Sequence, residues 1–278
     1  MLNRARKSAF PIRQALVLGL LQGPTELLPV SSSAHAALLP WLAGWSYSEL
    51  DPELRKSFEV ALHGGAGLAL VIDMRSELLQ EASRMDARRA ATIACSLAPA
   101  AIAGYALRES IERRLGGPRS IAAGLAIGAV AMALADVPGA RAARALEDAG
   151  PRDGLALGLA QAIALIPGVS RSGATLTAAR ARGFGRGDAQ TLSWHAALPV
   201  LVGASALECG RLARSGAPAG AFPALAAGAV SAFVSTLVSA RALRRTPQGR
   251  SLLPWSVYRG ALSLVVIRRL RRAHNGGR

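Results

Sequence analysis

The chain has 278 residues, of which 51% are apolar and only 18% are charged, and its formal net charge is +16. The charged share lies below the roughly 25% that is usual for soluble domains, so the composition excludes an ordinary soluble globular protein. The arginines lie in short segments between apolar runs and form no basic face interleaved with aromatic residues, which argues against nucleic-acid binding. Loop arginines beside anionic lipid headgroups explain the positive charge instead.

The apolar runs of the chain have two lengths. Each half begins with a short run, a polar break and a second short run, and the breaks lie at 22–33 and 167–175. Three longer runs then follow in each half, at 58–72, 90–107, 120–135, 191–207, 221–240 and 251–267. Because a membrane-spanning helix needs about 17–25 apolar residues, the six longer runs are predicted to span a bilayer. The shorter runs are typical of re-entrant hairpins, which enter and leave a membrane on the same side.

The two halves of the chain resemble each other. A shift by half the length of the chain overlays 16–34 on 155–173 without a gap, and eight of the nineteen positions match. We therefore predict two repeats, at 1–139 and 140–278, with hairpins at about 10–45 and 154–182. Three spans per repeat would insert the second repeat upside down relative to the first. The predicted fold is an all-α polytopic membrane protein built from two inverted repeats, with its site near the repeat interface.

The first polar break carries a carboxylate, three hydroxyls and an imidazole. Glu26 follows Gln22 by four residues, so both side chains share one face of a helix. A carboxylate in a membrane segment is costly and indicates a functional site, although pairing with an arginine is the structural alternative. Ser31, Ser32 and Ser33 are candidates for a helix N-cap or for a nucleophile. His35 lies three residues after Ser32, where it could serve as a general base.

The second polar break has the composition of an anion site. Gly168 lets backbone N–H groups approach a ligand, and the helix that follows presents its positive N-terminal end. Ser170, Ser172 and Thr175 add hydroxyl donors, and Arg171 adds a planar fork that matches phosphate oxygens. An arginine at membrane depth needs an anionic partner, so the predicted ligand is a phosphate. The structural alternative is that Arg171 pairs only with Glu26.

Together the two breaks supply the groups that phosphoryl transfer requires, namely positioning and neutralisation of charge. A hard divalent cation such as Mg²⁺ binds one or two carboxylates plus substrate phosphates, and Glu26 with Gln22 is the predicted ligand set. The substrate should have a phosphate head and a tail that resides in lipid. The competing interpretation is a lipid-phosphate flippase or secondary transporter, which needs the phosphate clamp but no nucleophile or base. A purely structural membrane protein is disfavoured by the buried charges.

These residues resemble the paired signatures of the undecaprenyl-diphosphate phosphatase (bacitracin-resistance protein) family of bacterial inner membranes. The first signature is matched by Gln22, Glu26, Leu28, Pro29, Val30, Ser31, Ser32 and His35. The second, Pro-Gly-x-Ser-Arg-Ser-x-x-Thr, is matched by Pro167, Gly168, Ser170, Arg171, Ser172 and Thr175. The similarity continues at 57–70 and 203–208 and weakly near the C-terminus. It therefore covers nearly the whole chain, although Ala34 stands where the family usually has Gly.

The resemblance implies a multi-pass inner-membrane enzyme that removes one phosphate from a C55 polyprenyl diphosphate and so recycles the lipid carrier for peptidoglycan. It implies catalytic roles for Glu26, Ser32, His35 and Arg171, and phosphate binding by Ser31, Ser33, Gly168, Ser170, Ser172 and Thr175. It also implies dependence on a divalent cation, Mg²⁺ or Ca²⁺, held by Glu26 and Gln22. Two alternatives stay open: either Glu26 or His35 activates Ser32, or a metal-bound water attacks instead.

The remaining expectations concern partners and the other histidines. The expected partners are the polyprenyl diphosphate and membrane lipids, with no nucleic acid. Any self-association is expected to give a homodimer. His63 and His195 lie in apolar runs outside the two signatures, so both are interpreted as structural residues.

Overall fold

The computed structural model of the chain describes residues 11–45, 47, 50–137, 144–216, 220–246 and 249–275. The regular structure of these residues is helical, with one isolated bridge between Arg144 and Phe184 and no strand. The α-helices are α1 (Ile12–Leu27), α2 (Ser32–Ala43), α3 (Pro52–Asp73), α4 (Arg75–Ser83), α5 (Ala87–Leu115), α6 (Pro118–Ala135), α7 (Pro151–Ile163), α8 (Arg171–Ala181), α9 (Arg186–Ser215), α10 (Phe222–Arg244) and α11 (Leu253–Asn275). A short 3₁₀ helix, Leu146–Asp148, precedes α7. The predicted all-α class is confirmed.

The order of the helices repeats along the chain. The same half-length shift that aligns the two sequence halves carries α1 onto α7, α2 onto α8, α3 onto α9, α5 onto α10 and α6 onto α11. In each half two short helices flank a break. The breaks fall at 28–31 and 164–170, where Pro29, Pro167 and Gly168 disfavour continued helix. They differ from the predicted 22–33 and 167–175 because 22–27 continue α1 and 171–175 begin α8.

Several helices have the length and composition of membrane spans. Three of them, α5 over Ala87–Leu107, α6 and α10, can cross a bilayer, and a fourth span results if α3 and α4, bent by 64°, count as one. Their apolar side chains face outward, as in the exposed rows Ile127, Val130 and Leu134 of α6 and Val230, Val234 and Val238 of α10. Polar residues such as His195 in α9 and Arg259 in α11 make these two long helices less apolar. The chain is a multi-pass helical membrane protein.

The helices of the described chain pack into two compact units. The first unit comprises the described residues of 11–27, 35–82 and 201–246, in which α1 lies against α10 and α3. The α1–α10 contact is close because a Cβ at Gly19 would lie 2.6 Å from the carbonyl oxygen of Gly228. Small residues spaced by four allow such approach between membrane helices, and Gly23 repeats the pattern one turn later. The hydroxyl of Ser231 donates to the carbonyl of Leu16 in the same contact.

The second unit comprises the described residues of 28–34, 83–200 and 249–275. In this unit α7 packs on α5, α8 lies against α6 and α7, and α11 lies along α6. The hairpin of α7 and α8 is closed by Asp153, which accepts hydrogen bonds from Arg144 at the start of the hairpin and from Arg182 at its end. The apolar core beneath it is formed by Met132, Leu157, Leu176, Phe184, Leu192 and Leu252.

Both units contain helices from both halves of the sequence. The first-half helix α1 packs on α10 from the second half, and its counterpart α7 packs on α5 from the first half. The predicted boundary of the repeats, between residues 139 and 140, falls in 138–143, outside the described residues. The assignment of repeats to 1–139 and 140–278 therefore stays a prediction.

Candidate active site

The two serine breaks adopt the same unusual backbone conformation. Among the described residues other than glycine, only Ser31 and Ser170 have a positive φ, 77° and 68°. These two residues are equivalent under the half-length shift. Each hydroxyl accepts a hydrogen bond from a backbone N–H three residues later, that of Ala34 at 3.3 Å and that of Gly173 at 3.2 Å. Each serine therefore caps the helix that follows it, and the repeat extends to the detail of the turn.

The second unit brings the two breaks together. It contains residues 28–34, which include the three serines of the first break, and it contains the whole of the second break. The hydroxyl of Ser172 donates to the carbonyl of Leu28 at 3.2 Å, and 144 residues separate the two in sequence. The prediction that both serine clusters contribute to one site is therefore consistent with their placement in this unit. We call residues 28–34 the first serine turn and residues 167–173 the second serine turn.

The side chains of the two turns differ in exposure. Ser31 and Ser170 are buried, whereas Ser33 is exposed and Ser32, Arg171 and Ser172 are half-buried. Ser32 is the first residue of α2 and Arg171 is the first residue of α8. The predicted nucleophile and the predicted phosphate clamp thus occupy equivalent positions, and both are accessible to a ligand.

Arg171 and Thr175 also make contacts within the second unit. One guanidinium nitrogen of Arg171 donates to the carbonyl of Ala197 in α9 at 3.1 Å, which orients the side chain. Thr175 is fully buried, and its hydroxyl lies 2.6 Å from that of Ser193. A phosphate could reach Thr175 only if this contact opened, so phosphate binding by Thr175 stays a prediction.

Gly168 has a structural requirement of its own. Its φ is +97°, and a Cβ there would lie 2.3 Å from the carbonyl oxygen of Ile121 in α6. Only glycine lets the second serine turn lie so close to α6. This explains the residue without a ligand, and its predicted contact with phosphate stays a prediction.

The first unit holds the carboxylate of the predicted site. Gln22 and Glu26 share one face of α1, as the spacing predicted, and the Gln22 amide donates to Glu26 Oε2 at 3.1 Å. The Glu26 side chain is only 7% exposed, and His63 Nε2 of α3 lies 3.8 Å from Glu26 Oε2. The interpretation of His63 as a structural residue did not include this contact with Glu26. His63 lies far from Glu26 along the chain and outside both signatures. The one sequence signal for it was a polar residue within an apolar run.

Comparisons with known proteins identify the family of the chain. The family model described as bacitracin resistance protein BacA matches residues 15–265. Proteins named undecaprenyl-diphosphatase are similar over nearly their whole length. The one from Geobacter sulfurreducens is 41% identical over 260 residues, which cover 89% of this chain and 94% of that protein. The one from Pelobacter propionicus is 40% identical over 270 residues, with 91% and 96% covered.

The chain belongs to the bacitracin resistance protein BacA family. This membership confirms the resemblance, and the match includes both serine turns together with Gln22, Glu26 and His63. The relative from Thermomicrobium roseum, 38% identical over 278 residues, is also named undecaprenyl-diphosphatase.

The environment of Glu26 is suited to a divalent cation. His63 Nδ1 lies 2.8 Å from the carbonyl oxygen of Glu59, and because that oxygen can only accept, Nδ1 carries the proton. The other ring nitrogen, Nε2, lies 3.8 Å from Glu26 Oε2, and histidine ligands often donate their second ring N–H to a backbone carbonyl in this way. In the described part of the chain no three His, Cys, Asp or Glu residues group around a metal position. The donors from the protein fit a cation that takes further ligands from water and substrate phosphate.

His35 and Glu26 belong to the first unit, whereas Ser32 and Arg171 belong to the second. His35 is buried in the first turn of α2. The activation of Ser32 by Glu26 or by His35, and the pairing of Arg171 with Glu26, therefore stay predictions.

Proposed function

We propose that this chain is an integral membrane phosphatase that hydrolyses undecaprenyl diphosphate to undecaprenyl phosphate and inorganic phosphate. The observation that carries this proposal is the match to the BacA family over residues 15–265, which contains both serine turns. Several relatives are named for this reaction. The reaction recycles the lipid carrier of peptidoglycan synthesis in the bacterial inner membrane and gives resistance to bacitracin. The flippase alternative is not favoured, because a carrier has no need of Ser32 as a nucleophile.

The proposed substrate has a charged head and a long apolar tail. The outward-facing apolar rows of α6 and α10 support a chain embedded in lipid, where such a tail resides. Arg171 and the hydroxyls of the second serine turn are suited to its phosphate oxygens. A lipid substrate that diffuses within the membrane is consistent with these features.

We propose that the fold consists of two inverted repeats with two re-entrant hairpins. The repeated helix order supports this topology, and so does the matching geometry of Ser31 and Ser170. The lengths of α1 and α7, 16 and 13 residues, support re-entrance because a helix that crosses the hydrocarbon core needs about 20 residues. Labelling of single cysteines from each side of the membrane tests it, and Gly44 and Gly185 should be labelled from opposite sides. Labelling from the same side would contradict inversion.

In the proposed reaction, the Ser32 hydroxyl attacks the terminal phosphorus. Its proton passes to Glu26 or His35 as the new P–O bond forms, and the bond from phosphorus to the bridging oxygen breaks. Undecaprenyl phosphate leaves with that oxygen, and water then cleaves the phosphoserine to release inorganic phosphate and regenerate Ser32. Arg171, Ser170 and Ser172 hold the oxygens of the transferred group, with Ser31, Ser33, Gly168 and Thr175 as further phosphate contacts. The same groups would serve if water attacked directly.

We propose that a divalent cation, Mg²⁺ or Ca²⁺, is held by Glu26 and Gln22, with His63 beside them. When bound, such an ion neutralises charge on the phosphates. Glu26 supplies the negative charge for the cation, and the amide of Gln22 orients that carboxylate through its hydrogen bond.

Phosphate release by the purified chain tests the function. The substrates are C55 and C15 prenyl diphosphates in detergent, with Mg²⁺ and then with excess chelator. We expect release that requires the cation and is lost in Arg171→Ala, while Arg113→Ala, which removes an exposed side chain on α5, releases phosphate as the wild type does. No release from wild-type protein that unfolds cooperatively would contradict the proposal. Lipid-phosphate transport in liposomes would then be the next measurement.

A further inference from the structure

A second arginine, Arg259 of α11, lies beneath the two serine turns. It is the largest side chain that is completely buried among the described residues. Its hydrogen-bond partners in the described chain are all backbone carbonyls, and its Nε has no partner. A buried guanidinium that is paired with dipoles alone costs free energy, and such a charge in a membrane protein usually has a function.

Three of the four carbonyls that Arg259 binds belong to the two serine turns, and the fourth is that of Gly124 in α6. Nη2 donates to the carbonyl oxygen of Val169 at 2.7 Å and to that of Gly168 at 3.0 Å. These two residues directly precede Ser170. Nη1 donates to Pro29 at 3.4 Å, two residues before Ser31. One side chain therefore joins two segments that lie half the chain apart in sequence.

These contacts explain how both serines can hold a left-handed backbone. A non-glycine residue in that region is strained and persists only where its surroundings fix it. The carbonyls of Pro29, Gly168 and Val169 precede the helices that follow the turns, so they lie outside the hydrogen bonds of those helices. Arg259 binds them instead and thereby fixes the entry into both turns.

The neighbours of Arg259 leave room for the guanidinium and for nothing larger. A Cβ at Gly128 of α6 would lie 2.0 Å from Nη2, and a Cβ at Gly173 of α8 would lie 2.6 Å from Nη1. The guanidinium thus fills a slot between α6 and α8 that glycines create.

We propose that Arg259 is a positioning residue that fixes both serine turns at once, so that Ser32 and Arg171, one residue after each left-handed serine, keep their places. Arg259 is buried and does not touch the substrate. This inference rests on the proposed function only in that Ser32 and Arg171 act on the phosphate. A loss of positioning lowers kcat more than it raises KM, because substrate still binds through its other contacts.

The test is Arg259→Lys, which keeps the charge but removes the fork. We expect kcat to fall by about 10- to 100-fold while KM changes by less than about threefold. We also expect backbone amide exchange to increase together in peptides covering 28–36 and 167–177, measured by mass spectrometry in detergent. The matched control is Ser263→Ala on the same helix, which removes a buried hydrogen bond to Ala122 of α6 but touches neither turn. Its kcat and the exchange of both turns should stay near wild type.

A second variant covers the case in which Arg259→Lys does not fold. Gly128→Ala keeps Arg259 but displaces its guanidinium, so it should produce the same combined change in both turns. The added Cβ would also lie 3.0 Å from the Val169 carbonyl oxygen, so the change in the first turn is the one that reports on Arg259. Its control is Gly104→Ala, at a helix position where an added Cβ meets no atom within 4 Å.

The proposal would be overturned if both turns exchanged at the wild-type rate in Arg259→Lys and in Gly128→Ala. Faster exchange in one turn alone would also overturn it. An equal loss of kcat in Ser263→Ala would also overturn it, since general packing of α11 would then explain the effect. The exchange measurement does not depend on catalysis. A wild-type chain that released no phosphate would count against the proposed function while the role of Arg259 could still be confirmed or rejected.

Discussion

At the residue scale, the duplicated turns have diverged in chemistry while keeping their conformation. Ser32 and Arg171 stand at equivalent positions, and so do Glu26 and Leu165, and His35 and Ala174. The first half of the sequence thus carries the groups that can exchange protons, and the second half carries the fixed positive charge. This division suits phosphoryl transfer, in which one group attacks and another neutralises charge.

Replacement of Ser32 tests the proposed nucleophile. We expect Ser32→Ala to lower kcat by a factor on the order of 10³ or more, because a nucleophile acts directly on the reacting phosphorus. Rapid quenching of the wild type with labelled substrate should trap a phosphoserine that the variant lacks. Ser256→Ala is the control, since that hydroxyl bonds only a carbonyl one turn earlier in the chain. Activity of Ser32→Ala within tenfold of wild type would favour attack by water.

Glu26 and His63 are expected to act together on the cation. Glu26→Gln removes the charge, and His63→Ala removes the imidazole that lies 3.8 Å from it. We expect both variants to bind Mn²⁺ at least about tenfold more weakly, measured by electron paramagnetic resonance without substrate. Glu109→Gln, on an exposed side chain of α5, should bind Mn²⁺ like the wild type. Unchanged affinity in Glu26→Gln would show that Glu26 is not a ligand.

At the scale of the elements, each serine turn couples a strained residue to a helix cap. Ser170 has a φ of 68°, and its hydroxyl caps α8. The positive φ favours glycine, whereas the cap favours serine. A hydroxyl kept at such a position indicates that the polar cap and the site outweigh the strain.

Paired substitutions of Ser170 separate the two effects. Ser170→Ala loses the cap and keeps the strain, whereas Ser170→Gly relieves the strain and costs only a few tenths of a kcal/mol of capping. We therefore expect the glycine variant to be more stable than the alanine variant by about 1–2 kcal/mol in thermal unfolding. At Ser256, within α11, the order should reverse because glycine is the poorer helix former. The same order at both positions would mean that the left-handed backbone of Ser170 stores no strain.

At the scale of the whole molecule, the sequence predicted what is local or repeated. The half-length shift located both breaks between short helices, and the spacing of Gln22 and Glu26 placed their side chains on one helix face, where they form a hydrogen bond. His63 and Arg259 were missed because each reaches its partners from a distant helix, and no local spacing encodes that contact. Arg259 did carry a signal, as a charge within the last apolar run, and the rule that singled out Glu26 and Arg171 applies to it equally.

The end of α6 shows how one carboxylate can organise several helices. Asp136 follows α6 and accepts hydrogen bonds from Arg186 at the start of α9 and from Ser251 and the Leu252 N–H at the start of α11. Arg180 Nε of α8 lies 3.6 Å from Asp136 Oδ1. Burial by itself would raise the pKa of the Asp136 carboxyl, but the hydrogen bonds from Arg186, Leu252 and Ser251 lower the pKa below its ordinary value.

Because the folded pKa of Asp136 is depressed, the stability it contributes is present above the unfolded pKa, near 3.8, and is lost as the pH falls through the folded value. We expect Asp136→Asn to lower the thermal midpoint by roughly 5–15 °C at pH 7, since two arginines lose a buried partner. The difference in thermal midpoint between the variant and the wild type should become smaller as the pH falls below about 4. Glu147→Gln, on an exposed residue of the 3₁₀ helix, is the control and should show no gap. A gap for Asp136→Asn that stayed constant from pH 7 to pH 3 would mean that the charge of Asp136 does not hold these helix ends together.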